Sequence, residues 1–131
     1  MTFEEFLVER SFKKAELTVG DEVGGGIYIG NFHGEDLIID TEYYILPWEE
    51  AKLFCVSSRA NGYMDWYLPS KEEVIFLLNQ KVNYKVHNND PWVWANEEIQ
   101  WDGVIVDMVD GTTSSDDKTL HNQFMPFRKL S

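Results

Sequence analysis

A chain of 131 residues is long enough for one hydrophobic core and too short for two. With 44% hydrophobic and 15% aromatic residues it is not a disordered polymer. Its formal charge of −12, from 23 acidic and 11 basic side chains, disfavours nucleic acid and anionic membrane surfaces as partners, and leaves a basic partner, a bound cation or plain solubility.

Thr2-x-x-Glu5, followed by Phe6, Leu7 and Phe12, reads as a capping box that opens a short amphipathic helix over about residues 3–12. Residues 1–18 are assigned as a helical extension and 19–129 as the body of a single domain spanning 1–131. The extension either packs back on the body or contributes to homo-oligomer formation. No basic stretch followed by an apolar core occurs in it, so no signal peptide is expected. No apolar run approaches the length that spans a bilayer.

Gly24-Gly25-Gly26 precedes Ile27–Phe32, a strand by its aromatic and β-branched content. No helix with Lys-Ser or Lys-Thr follows, which excludes a P-loop; the glycines serve a bulge or a tight turn. His33-Gly34-Glu35-Asp36 is a turn and Leu37–Ile39 a second strand, which together make a hairpin. Pro47 suits the first turn of a helix over about 47–60. Trp48, Ala51, Cys55 and Ser58 share its inner face, with Phe54 beside them. Glu49 and Glu50 at its start, and Lys52 and Arg59 further on, complement the helix dipole.

Asn61-Gly62 is a turn dipeptide. Trp66, Tyr67 and Leu68 form an apolar run with Trp66 inside, and Pro69 ends it. Ser70-x-x-Glu73 is a second capping box, opening a helix over about 70–80 that buries Val74, Leu77 and Leu78. Lys81 to Pro91 reads as a loop and Trp92-Val93-Trp94 as a short strand in which Trp92 faces the core. Gly103–Val109 is strongly β-prone, and Asp110-Gly111 is a hairpin turn. Thr112 to Lys118 is polar and expected to be mobile. Phe124–Arg128 closes the sheet, with Pro126 favouring an edge position.

The single cysteine, Cys55, excludes an intrachain disulfide, so a reducing compartment, the cytoplasm, is expected. Between Phe54 and Val56 it reads as a small buried apolar group rather than a nucleophile. His33, His87 and His121 are scattered and no nucleophile-elbow motif occurs, so the chain is not expected to be an enzyme. His87-Asn88-Asn89-Asp90 offers oxygen ligands of the kind calcium takes, but no metal or cofactor is expected there.

Asp65-Trp66-Tyr67-Leu68-Pro69-Ser70-Lys71-Glu72-Glu73-Val74 resembles the "DWRLPT-x-EEL" signature of the DUF1566, or Lcl C-terminal domain, family. Trp48-Glu49-Glu50-Ala51-Lys52 with Cys55 resembles its "tWeeAk…C" helix, and Trp92-Val93-Trp94-Ala95 its "YWSS". Gly24-Gly25-Gly26-Ile27-Tyr28 is similar to its opening glycine-rich strand, and Met125-Pro126-Phe127-Arg128 to its closing "vRpVR". Tyr67 stands for the usual arginine, Pro47 for threonine and Ala95-Asn96 for serines. The resemblance covers roughly residues 19–129. It implies an α+β, C-type-lectin-like fold with two helices packed on a twisted antiparallel sheet. It also implies a structural signature of Trp48, Asp65, Trp66, Leu68, Pro69 and Trp94, and a bacterial or phage origin. The "EPN", "QPD" and "WND" motifs of calcium-binding lectins do not occur, nor does the cysteine pair of formylglycine-generating enzymes.

The resulting expectation is a non-catalytic recognition module to whose charge a basic surface is suited, with a protein partner and with carbohydrate as the other ligand class. Binding is expected in the loops at 81–91, 96–102 and 110–121, since loops on a rigid scaffold carry recognition. The candidates are Tyr84, His87, Asn88, Asp90, Trp101, Asp116 and Asp117. The alternative is a small acidic inhibitor that blocks a basic, nucleic-acid-binding groove of a host enzyme. For a phage protein the host cytoplasm is the expected location, and the virion the other.

Overall fold

Nine β-prone segments pair into two sheets in a computed structural model that describes residues 17–87 and 89–130. The helix expected at 3–12, and Asn88, lie outside the described residues. The first sheet has the order β1-β2-β3-β9, from β1 (Glu22–Val23), β2 (Gly26–Phe32), β3 (Glu35–Ile39) and β9 (Phe127–Leu130). The second has the order β4-β8-β5-β6-β7, from β4 (Tyr44–Leu46), β8 (Asn122–Phe124), β5 (Trp92–Ile99), β6 (Asp102–Asp107) and β7 (Thr113–Asp117). With helices α1 (Trp48–Ser57) and α2 (Lys71–Asn79), the architecture is α+β. Pairing is antiparallel except where Val93 on β5 meets Gln123 on β8 in parallel. One antiparallel sheet is expected from the sequence; the strands form two, and the chain passes from one to the other at Pro126. It has no N–H for a ladder, and the chain leaves the second sheet at Phe124 and joins the first at Phe127. Pro126 is buried at this crossover rather than lying on an open edge, and its carbonyl accepts from the Asp40 N–H at 2.9 Å.

Local signals set the turns and caps. Ser70 Oγ accepts from the Glu73 N–H at 3.1 Å and Glu73 Oε1 from the Ser70 N–H at 2.9 Å, a complete capping box. Asn61 and Gly62 hold φ of 56° and 84°, in the left-handed region that this dipeptide tolerates. They close a short 3₁₀ turn, Ala60–Gly62, so α1 ends at Ser57 and not at residue 60. Gly24 and Gly25, at 62° and 85°, make the β1–β2 turn.

Packing fixes the rest. Trp48, Trp66 and Trp94 are each at most 1% exposed. Each indole N–H donates to a carbonyl: Trp48 to Ala95 at 2.8 Å, Trp94 to Leu46 at 2.8 Å and Trp66 to Ala60 at 3.1 Å. A buried indole needs such an acceptor, so these bonds fix where α1, β4 and β5 sit relative to one another. Val74 and Leu77 of α2 pack with Ile29, Val93, Val106 and Phe127 of both sheets. Cys55 is buried against Trp48, Leu68 and Phe124. β5 runs past Trp94 to Ile99, further than expected, with its register broken between Trp94 and Glu98. There Asn96 turns to the signature segment, donating its N–H to the Pro69 carbonyl at 2.8 Å and Nδ2 to that of Leu68 at 3.2 Å. The expected mobile loop at 112–118 is instead largely strand β7, because β6 offers it five consecutive partners.

Candidate functional site

β6 sorts the predicted contact residues into two groups. Its six residues separate its ends by roughly 17 Å at the usual strand rise. Tyr84, His87 and Asp90 lie in the loop beside its Asp107 end, where the Met108 N–H donates to the Pro91 carbonyl at 2.9 Å. Trp101, Asp116 and Asp117 lie at its Asp102 end. The structure therefore does not bring the six described candidates into one site.

The polar groups of the first group mostly hold their own loop. The His87 N–H donates to Gln123 Oε1 at 2.8 Å, and His87 Nδ1 accepts from the Asn89 N–H at 3.2 Å. Asp90 Oδ1 accepts from the Trp92 N–H at 3.2 Å, while the Asp90 carbonyl accepts from Gln123 Nε2. Gln123 is buried, so the loop is anchored to β8 through a side chain far along the sequence. Tyr84 is partly buried and packs against the main core; that burial raises its phenol pKa.

The second group is different. Gln100 and Trp101 join β5 to β6, with Ile99 paired to Asp102 and Gln100 in the left-handed region at φ 56°. This tight link projects beyond the sheet, and Trp101 is 87% exposed. Ile99 at 51% and Leu120 at 48% are exposed in neighbouring segments. The hairpin carrying Trp101 is clamped. Glu98 Oε2 accepts from Lys118 Nζ at 2.8 Å, and that ammonium lies 3.8 Å from Glu49 and 4.4 Å from the centre of the Trp48 ring. The hydrogen bond from Lys118 holds the Glu98 carboxyl below its ordinary pKa. Asp117 Oδ1 accepts from the Thr119 N–H at 2.8 Å and its hydroxyl at 2.6 Å, bonds that hold its pKa low. Asp116 Oδ2 accepts from Asn122 Nδ2 at 2.9 Å. So both aspartates brace the β7–β8 turn.

Among the described residues, no three His, Cys, Asp or Glu side chains are grouped so that they could hold a metal ion. A surface hollow of about 440 Å³ is lined by Glu22 to Gly26, Thr41 and Asn61. Its glycines answer to packing: a Cβ on Gly25 would lie 2.6 Å from the Tyr63 ring. Of the signature residues, Trp48, Trp66, Leu68, Pro69 and Trp94 are buried, and Asp65 holds Arg128. Sequence reasoning did not single out Ile99, Leu120 or Lys118. Ile99 was legible as the one aliphatic residue between polar Glu98 and Gln100; the clamp by Lys118 was not, because its partners lie 20 and 69 residues away.

In comparison with known proteins, the chain matches no family model, and no curated protein sequence matches it.

Proposed function

We propose that the chain is a non-catalytic recognition module whose contact centre is the β5–β6 hairpin tip and whose partner is a protein with a basic surface. The observation that carries this reading is the 87% exposure of Trp101 on a clamped hairpin. A tryptophan held out in water offers a large rigid contact area at little entropic cost, and such residues dominate the energetics of interfaces. Exposed Ile99 and Leu120 supply apolar surface in the neighbouring segments, and Asp102 and Asp117, paired across β6 and β7, add negative charge at the same end.

The reading extends to a C-type-lectin-like fold of the DUF1566 class, encoded by a phage or bacterium and working in the cytoplasm. Its support is the Asp65–Val74 segment, the buried Trp48, Trp66 and Trp94, and an α+β body whose last strand lies beside β3. The acidic-inhibitor reading has less support. Exposed Asp21, Glu22, Glu35, Glu42, Glu72, Asp90 and Asp110 are carried by both β1 and β3, by α2 and by separate loops, not by one element.

The test is affinity capture by the wild-type chain and by Trp101→Ala, with retained proteins identified by mass spectrometry. A partner bound through the tip is lost from the variant by about tenfold or more. A partner retained equally by both rejects the tip as the contact centre.

A further inference from the structure

We infer that β7 is a docking edge that takes one extended, basic segment of a protein partner as an added strand, paired through the main chain. For its purpose this rests on the recognition reading above, but it uses different atoms, the backbone of Thr113 to Asp117.

Sheet edges carry unpaired N–H and C=O groups, and proteins ordinarily blunt them with short strands, bulges, proline, charged side chains (lysine above all) or a covering segment. The described residues show such protection at the other three edges. β1 has two residues and β4 three. The outer side of β9 is met by Tyr67, which exchanges two main-chain bonds with Phe127 at 2.8 and 2.9 Å. β7 has five residues, Thr-Ser-Ser-Asp-Asp, without proline or lysine. Its five pairs with β6 run in unbroken register, so no bulge turns it aside.

The register also says which groups are free. The Asp107 N–H donates to the Thr112 carbonyl at 2.8 Å. Antiparallel bonding alternates, so Ser114 and Asp116 bond to β6 through Ile105 and Gly103. The main-chain groups of Thr113, Ser115 and Asp117 point the other way. The Asp117 carbonyl is taken by the Leu120 N–H at 3.0 Å. What remains, among the described residues, is a row of three donors and two acceptors on the outer side, the pattern an incoming strand needs.

Charge selects the occupant. Asp116 and Asp117 end the strand, and Asp117 lies opposite Asp102. The nearest cation, Lys118, is already engaged by Glu98 and Glu49. A second copy would bring another chain of charge −12 to this edge, whereas a basic segment meets complementary charge.

The probe is an end-blocked hexapeptide of alternating lysine and valine, with its glutamate–valine counterpart as control. Adding the lysine peptide should slow amide hydrogen exchange at Thr113 and Ser115 by about tenfold or more, and the control should not. Ser115→Pro removes an outward donor while leaving the bonds from Ser114 and Asp116 to β6, and should weaken peptide binding by about tenfold with the fold retained. Trp101→Ala, which tests the tip, should leave the exchange protection at Thr113 and Ser115 in place. Unchanged exchange at both amides overturns the inference even if Ser115→Pro does not fold. So does a wild-type chain that sediments as a dimer and a Ser115→Pro variant that is monomeric, because the edge would then serve self-pairing.

Discussion

Arg128 is 4% exposed, yet the carboxylate it pairs with, Asp65, has a side chain 55% open to water. Arg128 Nε donates to Asp65 Oδ1 at 2.8 Å and Nη2 to Oδ2 at 3.3 Å, while Nη1 donates to the Gly24 carbonyl at 2.6 Å. The guanidinium lies 3.8 Å from the centre of the Tyr63 ring. One cation thus ties β9 to the signature segment and to the glycine turn between β1 and β2.

That pair makes a prediction about acid. The hydrogen bond from Arg128 holds the Asp65 carboxyl below its ordinary pKa. A depressed folded pKa means stability that is present above the unfolded value, about 3.9, and lost as pH falls through the folded value. Wild-type stability should therefore decline below about pH 4, and Asp65→Asn should show a flatter response there. At neutral pH, Asp65→Asn should cost about 1–2 kcal/mol, the solvent exposure of Asp65 keeping it small. Arg128→Ala should cost more, about 2–4 kcal/mol, since it also removes the bond to Gly24 and the packing on Tyr63. Urea titrations across pH measure all three.

Gly103 is a strand residue whose missing side chain is filled by a neighbour. A Cβ there would lie 2.5 Å from Cδ1 of Trp48, which is 0% exposed and pinned by its bond to Ala95. Gly103→Ala should destabilise by about 1–3 kcal/mol through overpacking, although alanine is the smaller conformational burden on the unfolded chain. The urea midpoint should fall at constant slope.

Trp101 should be energetically silent in the isolated chain. Trp101→Phe should change stability by no more than about 0.5 kcal/mol. It should also remove the most readily acrylamide-quenched part of the tryptophan emission, because Trp48, Trp66 and Trp94 are buried. Retention of that component would place the exposed indole elsewhere.

Burial pushes the Cys55 thiol up to about 12, and burial is the leading cause that takes the Tyr28 and Tyr44 phenols to about 12 as well. Raised folded values give stability that is complete below the unfolded pKa values, about 8.5 and 10, and is lost as pH rises towards the folded ones. Melting temperature should therefore fall above about pH 9. An aromatic disulfide reagent should label Cys55 only through opening of the fold, so adding denaturant below the transition should accelerate labelling. Immediate labelling at pH 8 would contradict the buried thiol.

Much of the local architecture was legible because its causes are local. Asn61-Gly62, the Ser70–Glu73 capping box, the Asp110-Gly111 turn and the α1 face of Trp48, Ala51 and Cys55 each act within about two helical turns of chain or less. The candidate site was legible only in part. Trp101 was identifiable by its polar neighbours, but the separation of Tyr84, His87 and Asp90 from Asp116 and Asp117 follows from the direction of β6, which composition does not encode.

The sequence by itself determined an α+β architecture with its turns, the Ser70–Glu73 helix cap and the buried Trp48, Trp66 and Trp94, since those depend on neighbouring backbone preferences and on the size of the rings. Tertiary structure alone decided that Thr113 to Asp117 is a strand, that Pro126 divides the last segment between two sheets and that Asp65 receives Arg128. Strand pairing and charge pairing are each set by what a residue meets after the chain has folded back, and the partners lie from 7 residues away, for Thr113 and Val106, to 63, for Asp65 and Arg128.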